Sequence, residues 1–156
     1  MNAEPLLNEI AEVFHKHKLE AVMIGNAAAA MRGAPVTTLD IDFMIRDAAP
    51  VISKLSKVAA SLGASLEQPF LPTSSMRRLS NVSRGLQLDF VVQAHGIDSF
   101  ASLRSRATAA AFGKHSLLIA SLDDIIRSKR SAGRPQDLAV LPILEVLQQE
   151  TQGDDD

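Results

Sequence analysis

Apolar positions along the chain recur at two spacings, one close to 3.6 residues, typical of helices, and one of two residues or in short runs, typical of strands. Helical spacing predicts helices over 4–18, 27–32, 50–62, 97–104 and 122–131, and from residue 135 onward. Strands are predicted over 21–24, 38–45, 107–111 and 116–120, with a hairpin that pairs 76–82 with 86–92. This order predicts an α/β (α+β) fold: a short mixed β-sheet flanked by helices, with helices at the C-terminus.

Length and composition fit one domain. The 156 residues are enough to bury a core without disulfides, and the chain has no cysteine. We expect one domain over 1–150 and a disordered acidic tail over 151–156. The absence of a signal-peptide pattern and of a long apolar run predicts a cytoplasmic protein with no membrane partner. A formal net charge of −2 argues against a protein that coats nucleic acid.

Two aspartates interrupt the strand predicted over 38–45. Side chains alternate along a strand, so Asp40 and Asp42 share one face and the apolar residues between them share the other. An unpaired carboxylate beside a core is costly, and two neighbouring carboxylates repel each other. A hard divalent cation such as Mg²⁺ binds carboxylate oxygens and offsets both costs. On its own, the pair is equally consistent with a strand end that carries solvated acids.

Two further features favour the metal hypothesis. Gly25-Asn26 ends the first strand where a helix begins, and glycine there allows the backbone to approach a phosphate. Asp89 is a lone acid on the later strand 86–92. Three carboxylates can hold one or two divalent cations that bridge triphosphate oxygens. Together these residues predict a phosphoryl-transfer or nucleotidyl-transfer site.

The order and spacing of these motifs resemble the nucleotidyltransferase-fold family, particularly small bacterial proteins related to abortive-infection nucleotidyltransferase toxins. That family has Gly-Gly or Gly-Ser, a short helix, Asp-x-Asp and a third Asp on a later strand. The later segment with Lys129, Arg134 and Asp137 is similar to the family's helical Lys, Arg and Asp signature. The resemblance spans roughly residues 21–147.

The resemblance implies a Mg²⁺-dependent (or Mn²⁺-dependent) enzyme that moves a nucleoside monophosphate from a nucleoside triphosphate (NTP) to a hydroxyl acceptor. It implies that Asp40, Asp42 and Asp89 bind the metal and that Asp89 also activates the acceptor hydroxyl. The implied nucleotide-binding residues are Gly25, Asn26, Thr38, Lys129 and Arg134. The acceptor stays open between RNA, protein and a small molecule. A toxin-antitoxin or phage-defence setting, with an antitoxin partner, is a further implication.

Three positions depart from the family pattern, and two of them, Asn26 and Val36, favour an alternative function. Asn26 stands where most relatives have a second small residue, and Val36 where many have an arginine. Gln136 replaces a common lysine. The alternative is a degenerate, non-catalytic domain of this fold that binds nucleotide or a partner protein.

Several charged side chains have simpler interpretations. On the predicted hairpin, Arg77, Arg78 and Arg84 are interpreted as surface charge, with a basic lip for an RNA acceptor as the alternative. The simpler interpretation of Lys129 and Arg134 is a solvated helix end, stabilised by the helix dipole. Asp137 is expected to pair with Arg134 or with Lys129.

Overall fold

Helices and strands alternate along the chain in the computed structural model, which describes residues 4–34, 40–68 and 76–154. The helices are α1 (Glu4–Lys16), α2 (Gly25–Met31), α3 (Ala49–Ser61), α4 (Phe100–Arg106), α5 (Leu122–Ala132) and α6 (Pro135–Asp154). The strands are β1 (Val22–Ile24), β2 (Asp40–Met44), β3 (Ser65–Glu67), β4 (Arg77–Asn81), β5 (Leu86–Val91), β6 (Thr108–Phe112) and β7 (His115–Ile119). A 3₁₀ turn over Val82–Arg84 joins β4 to β5.

The described strands form one mixed sheet in the order β3-β4-β5-β2-β1-β7-β6. β1 is antiparallel to β2 and parallel to β7, and β2 is parallel to β5. The hairpins β4–β5 and β6–β7 are antiparallel. The predicted α/β architecture with a mixed sheet is therefore confirmed. Strand β1, which lies between β2 and β7, is only three residues long.

The core on one face of the sheet contains three phenylalanine rings. Phe43 and Phe90 are neighbours across β2 and β5, with ring centroids 5.6 Å apart, and Phe14 of α1 lies 5.0 Å from Phe43. All three are buried. Because side chains alternate along each strand, Asp42 and Asp89, which precede Phe43 and Phe90, project from the opposite face. Helix α1 thus covers one face and leaves the carboxylates on the other.

The start of α5 is held by a buried aspartate. Ser121 Oγ accepts a hydrogen bond from the Asp124 backbone N–H at 3.1 Å, as expected for a helix cap. The side chain of Asp124 also accepts two bonds from Arg106, at 2.8 and 2.9 Å, and one from Arg127 at 2.9 Å. These bonds balance a buried charge and join α5 to the end of α4.

Two helix starts differ by two or more residues from the sequence-based expectations, and one strand was not predicted. Helix α4 begins at Phe100 instead of residue 97, because Ser99 caps it by accepting a bond from the Ser102 backbone N–H at 3.0 Å. Helix α2 begins at Gly25, two residues earlier than expected. Strand β3 was not predicted, since it is three residues long and exposed throughout, and so leaves no apolar period.

The last helix extends further than expected. Helix α6 continues through Pro142 and includes residues 151–154, so the predicted disorder of the tail is wrong for their backbone. Thr151 Oγ1 donates to the Leu147 carbonyl at 2.9 Å, and extending an existing helix needs no new nucleation. Residues 155–156 lie outside the described part of the chain. Among the described helices, none combines the length and apolar character needed to cross a membrane.

Candidate active site

A row of residues with charged side chains crosses neighbouring strands on the face opposite α1. The register places Arg78 of β4 beside Asp89 of β5, and Asp89 beside Asp42 of β2. Asp42 in turn pairs with Ile24, the last residue of β1. Neighbouring strands lie about 4.8 Å apart, so the structure brings these two predicted site carboxylates close together.

The carboxylate of Asp42 packs against the backbone where β1 passes into α2. A β-carbon on Gly25 would lie 2.8 Å from Asp42 Oδ2, closer than such contacts occur. Gly25 also has a φ of +70°, which disfavours any residue with a side chain. Glycine at this position therefore lets the Asp42 carboxylate reach the start of α2.

The electrostatic environment of Asp42 suits a bound cation. Its pKa is raised from the ordinary 3.8 to about 6, first by burial and then by the negative charges of Asp89 and Asp40. The positive charges of Lys129 and Arg134 partly oppose this shift in pKa. A divalent cation would favour the ionised form of such a carboxylate.

Asp89 already has a cationic partner. It is 7% exposed, and Arg78 donates from Nε to Oδ1 at 2.8 Å and from Nη2 to Oδ2 at 3.2 Å. Gln87 Nε2 also donates to Oδ2, at 3.3 Å. The hydrogen bond with Asp89 raises the pKa of Arg78, which keeps the guanidinium charged. The interpretation of Arg78 as surface charge missed this contact.

Lys129 connects α5 to α2 and to α6. It is 7% exposed, and its Nζ donates to Asn26 Oδ1 at 2.6 Å and lies 3.7 Å from Asp137 Oδ1. The guanidinium of Arg134 donates two bonds to Asp137, at 2.7 and 3.2 Å. Burial lowers the pKa of Lys129, and the bond from Arg134 lowers the pKa of Asp137. Asp137 thus pairs with both cations, and Asn26 has a defined partner.

No family model and no curated protein sequence matches the chain, but solved structures do. The antibiotic-resistance factor ANT(2'')-Ia aligns with a TM-score of 0.60 at 15% identity, over 96% of this chain and 91% of that one. Its complex with adenylyl-2''-tobramycin aligns with a TM-score of 0.60 at 15% identity, over 100% of both chains. The chain has the nucleotidyltransferase fold.

A third structure supports this assignment of the nucleotidyltransferase fold. A protein from Thermotoga maritima, provisionally described as a nucleotidyltransferase, aligns with a TM-score of 0.57 at 15% identity, over 96% of this chain and 92% of that one. The fold expected from the sequence resemblance is confirmed. At this level of identity, the comparison shows the fold alone.

Within the nucleotidyltransferase fold, the predicted acids are only partly assembled. Asp40 is exposed at the start of β2, and its charge acts on Asp42. In residues 4–34, 40–68 and 76–154, no three His, Asp or Glu side chains converge closely enough to hold a metal ion. Metal binding by Asp40, Asp42 and Asp89 stays a prediction. Thr38 and Val36 lie outside the described residues.

Replacing Asp137 by asparagine is expected to destabilise the protein by about 2 kcal/mol at pH 7, because buried Lys129 would lose its counter-charge. Urea unfolding of wild type and Asp137→Asn measures the difference. The pKa of Asp137 is lower in the folded state than in the unfolded state. Its contribution to the free energy of unfolding is therefore complete above the unfolded-state pKa and is lost as the pH falls through the folded-state pKa. The difference in unfolding free energy between wild type and Asp137→Asn should therefore persist down to about pH 4 and disappear below it.

Glu145→Gln is the matched control on the same helix. Glu145 pairs with Arg130 at 2.9 Å, but their side chains are 44% and 62% exposed, so its loss should change stability by less than about 0.5 kcal/mol. If Asp137→Asn and Glu145→Gln lost equal free energies of unfolding, the contacts of Asp137 would be no stronger than a surface ion pair.

Proposed function

We propose that the protein transfers a nucleoside monophosphate from an NTP to a hydroxyl acceptor and releases pyrophosphate. One observation carries this proposal: the carboxylate of Asp42 lies against Gly25, with Asp89 at the adjacent register position. Asp42 therefore lies beside the turn where a strand enters a helix, and Asp89 lies on the next strand, an arrangement suited to a metal-bound triphosphate. Gly25 and Asn26 would contact its β- and γ-phosphates.

Mg²⁺ or Mn²⁺ is the proposed cofactor. When bound, such an ion neutralises phosphate charge and lowers the pKa of an attacking hydroxyl. The chemistry of the donors fits, since carboxylate oxygens suit hard cations, and the pKa of Asp42 is raised by burial and then by the negative charges of Asp89 and Asp40. Asp40, Asp42 and Asp89 would hold the ions, and Asp89 would accept the proton of the acceptor hydroxyl.

Lys129 and Arg134 are proposed to contact the nucleotide phosphates. Both act electrostatically on Asp42, and Lys129 is bound to Asn26 beside Gly25. Their contribution would be to hold the triphosphate in position and to neutralise charge. Thr38 completes the proposed nucleotide-binding set.

The acceptor is proposed to be a small hydroxyl compound, an RNA or a protein. The complex of ANT(2'')-Ia with adenylyl-2''-tobramycin supports including aminoglycosides in the test. The resemblance to abortive-infection nucleotidyltransferases supports including RNA and protein, and suggests a cytoplasmic toxin-antitoxin or phage-defence role with an antitoxin partner.

The test is transfer of label from each α-³²P-labelled NTP to tobramycin, total RNA or cell lysate, with Mg²⁺ or Mn²⁺. We expect the wild-type protein to label one acceptor class in the presence of metal, and a chelator to stop transfer. If the protein neither binds metal-nucleotide nor labels any acceptor in this panel, the proposed function is wrong.

A degenerate domain of this fold that binds nucleotide without catalysis is the second candidate. Two observations favour it: Arg78 occupies both oxygens of Asp89, and the described residues contain no three-ligand cluster. Binding of metal-nucleotide without label transfer to any acceptor would support this candidate over the enzyme.

A further inference from the structure

Arg78 lies between two carboxylates on neighbouring strands. The register places it directly beside Asp89 of β5 on one side and Glu67 of β3 on the other. It binds Asp89 through two hydrogen bonds, whereas Asp40 and Glu67 are exposed and act on Arg78 through their charges, and of these two only Glu67 lies directly opposite it. Because directly opposite residues in antiparallel strands lie within side-chain reach, one guanidinium has two carboxylates available to it.

The present position of Arg78 opposes cation binding at Asp89. Both Asp89 oxygens accept bonds from the guanidinium, so the charge that a metal ion requires is already neutralised. A divalent ion on the same carboxylate would also be repelled by Arg78 at short range. Among the described residues, the Asp42 carboxylate accepts no such pair of bonds from a cationic side chain.

We propose that Arg78 is a switching residue of the site: it pairs with Asp89 in the metal-free protein and moves to Glu67 when a divalent cation binds beside Asp42. This inference rests on the proposed function only in assuming a divalent cation at these carboxylates. The two partners flank Arg78 in the same row, so the move needs side-chain rotation and no change in strand register.

The switch has a physical advantage over an open site. Asp89 is 7% exposed, and leaving it ionised next to Asp42 without a cation would be costly. Arg78 supplies that cation until a metal ion arrives. The Arg78 side chain is 37% exposed, so it can move away from Asp89 without passing through the core.

Mn²⁺ binding, measured by electron paramagnetic resonance of the free ion, tests the switch without reference to catalysis. We expect Arg78→Gln to bind Mn²⁺ roughly tenfold more tightly than wild type, the effect of removing one charge-assisted bidentate pair. Glu67→Gln should bind it a few-fold more weakly, because the released Arg78 loses its second partner. If Arg78 had a purely structural role, Arg78→Gln would bind Mn²⁺ more weakly than wild type.

Arg84→Gln is the matched control. It removes the same charge from the same hairpin, where Arg84 pairs with Glu9 of α1 instead of with a site carboxylate. Its Mn²⁺ affinity should stay within about twofold of wild type, the screened effect of one distant charge. If Arg78→Gln and Arg84→Gln bound Mn²⁺ equally more tightly than wild type, the change in net charge alone would explain the gain in affinity and the proposal would be overturned.

The wild-type protein provides a second measurement that does not depend on the folding of a variant. The arginine Nε–H signal of Arg78, assigned by its loss in Arg78→Lys, should shift when Mg²⁺ is added. An unchanged signal under saturating Mg²⁺ would overturn the switch, as would an Arg78→Gln variant that binds Mn²⁺ no more tightly or not at all. Tighter Mn²⁺ binding without any label transfer would support the switch and reject the proposed function.

Discussion

Replacing Asp42 by asparagine is expected to lower nucleotidyl transfer at least about 10³-fold, because the amide cannot supply the charge that holds a divalent ion. Label transfer under saturating NTP and Mg²⁺ measures the loss. Divalent cations should also stabilise the wild-type protein against unfolding and leave Asp42→Asn unaffected. A variant that transfers label at the wild-type rate would remove Asp42 from the site.

The same substitution is expected to stabilise the metal-free protein by about 1–2 kcal/mol at pH 7. The pKa of Asp42 is raised from 3.8 to about 6, so folding disfavours its ionised form. By linkage, a shift of this size is worth about 3 kcal/mol, which we reduce because the side chain is half-buried and partly screened by solvent. Loss of activity and gain of stability in one variant is a combination that general misfolding cannot produce.

The pH dependence follows from the direction of this shift. Below pH 3.8, Asp42 is protonated in both the folded and the unfolded state, so it carries no penalty. The penalty develops as the pH rises and is complete above about pH 6. Urea unfolding in chelator should therefore give equal stabilities for wild type and Asp42→Asn near pH 3.5, and a constant difference above about pH 6.5. Asp40→Asn is the control. Because Asp40 is exposed, the unfolding free energy of this variant should differ less from that of wild type than the unfolding free energy of Asp42→Asn does.

Replacing Gly25 by alanine is expected to reduce transfer about 10²-fold, with a much smaller effect on stability. The added β-carbon would lie 2.8 Å from Asp42 Oδ2, at the end of a side chain that can move aside. The fold survives, but the carboxylate is displaced, and misplacing a reactive group by about 1 Å costs roughly this factor. The positive φ of +70° adds about 1 kcal/mol of backbone strain.

Gly85→Ala is the control that separates backbone strain from displacement of the Asp42 carboxylate. Gly85 has a similar φ of +66°, but a β-carbon there would meet nothing within 4 Å. It should lose about 1 kcal/mol of stability, as Gly25→Ala does, while keeping full transfer activity. If both variants retained activity, the contact between Gly25 and Asp42 would have no role in positioning the carboxylate.

The periodicity of apolar residues was sufficient to predict most of the elements that carry the site. The short exposed strand β3 could not be predicted, because three residues with one apolar side chain show no alternation. The adjacency of Asp42 and Asp89 depends on the parallel pairing of β2 with β5, which is set by packing of the whole sheet. The family resemblance supplied that link where local patterns could not.

The contact between Arg78 and Asp89 was missed because the predicted hairpin is out of register by one residue. Pairing 76–82 with 86–92 across 83–85 puts Arg78 opposite Phe90, whereas the structure pairs Asn81 with Leu86 and so places Arg78 opposite Asp89. The bond between Lys129 and Asn26 had no local signal either, because it joins helices distant in sequence. Asn26, which looked like a departure from the family pattern, is a hydrogen-bond acceptor for a buried lysine.

The three-residue strand β1 has a consequence for how the protein is made. Its neighbours are β2, which follows soon after it, and β7, whose residues 115–119 leave the ribosome much later. Gly25 is the next residue after β1, so the turn at the candidate site lacks one flanking strand throughout this interval. During synthesis, at about 5–20 residues per second, the candidate site therefore waits for β7 before both neighbours of β1 are in place.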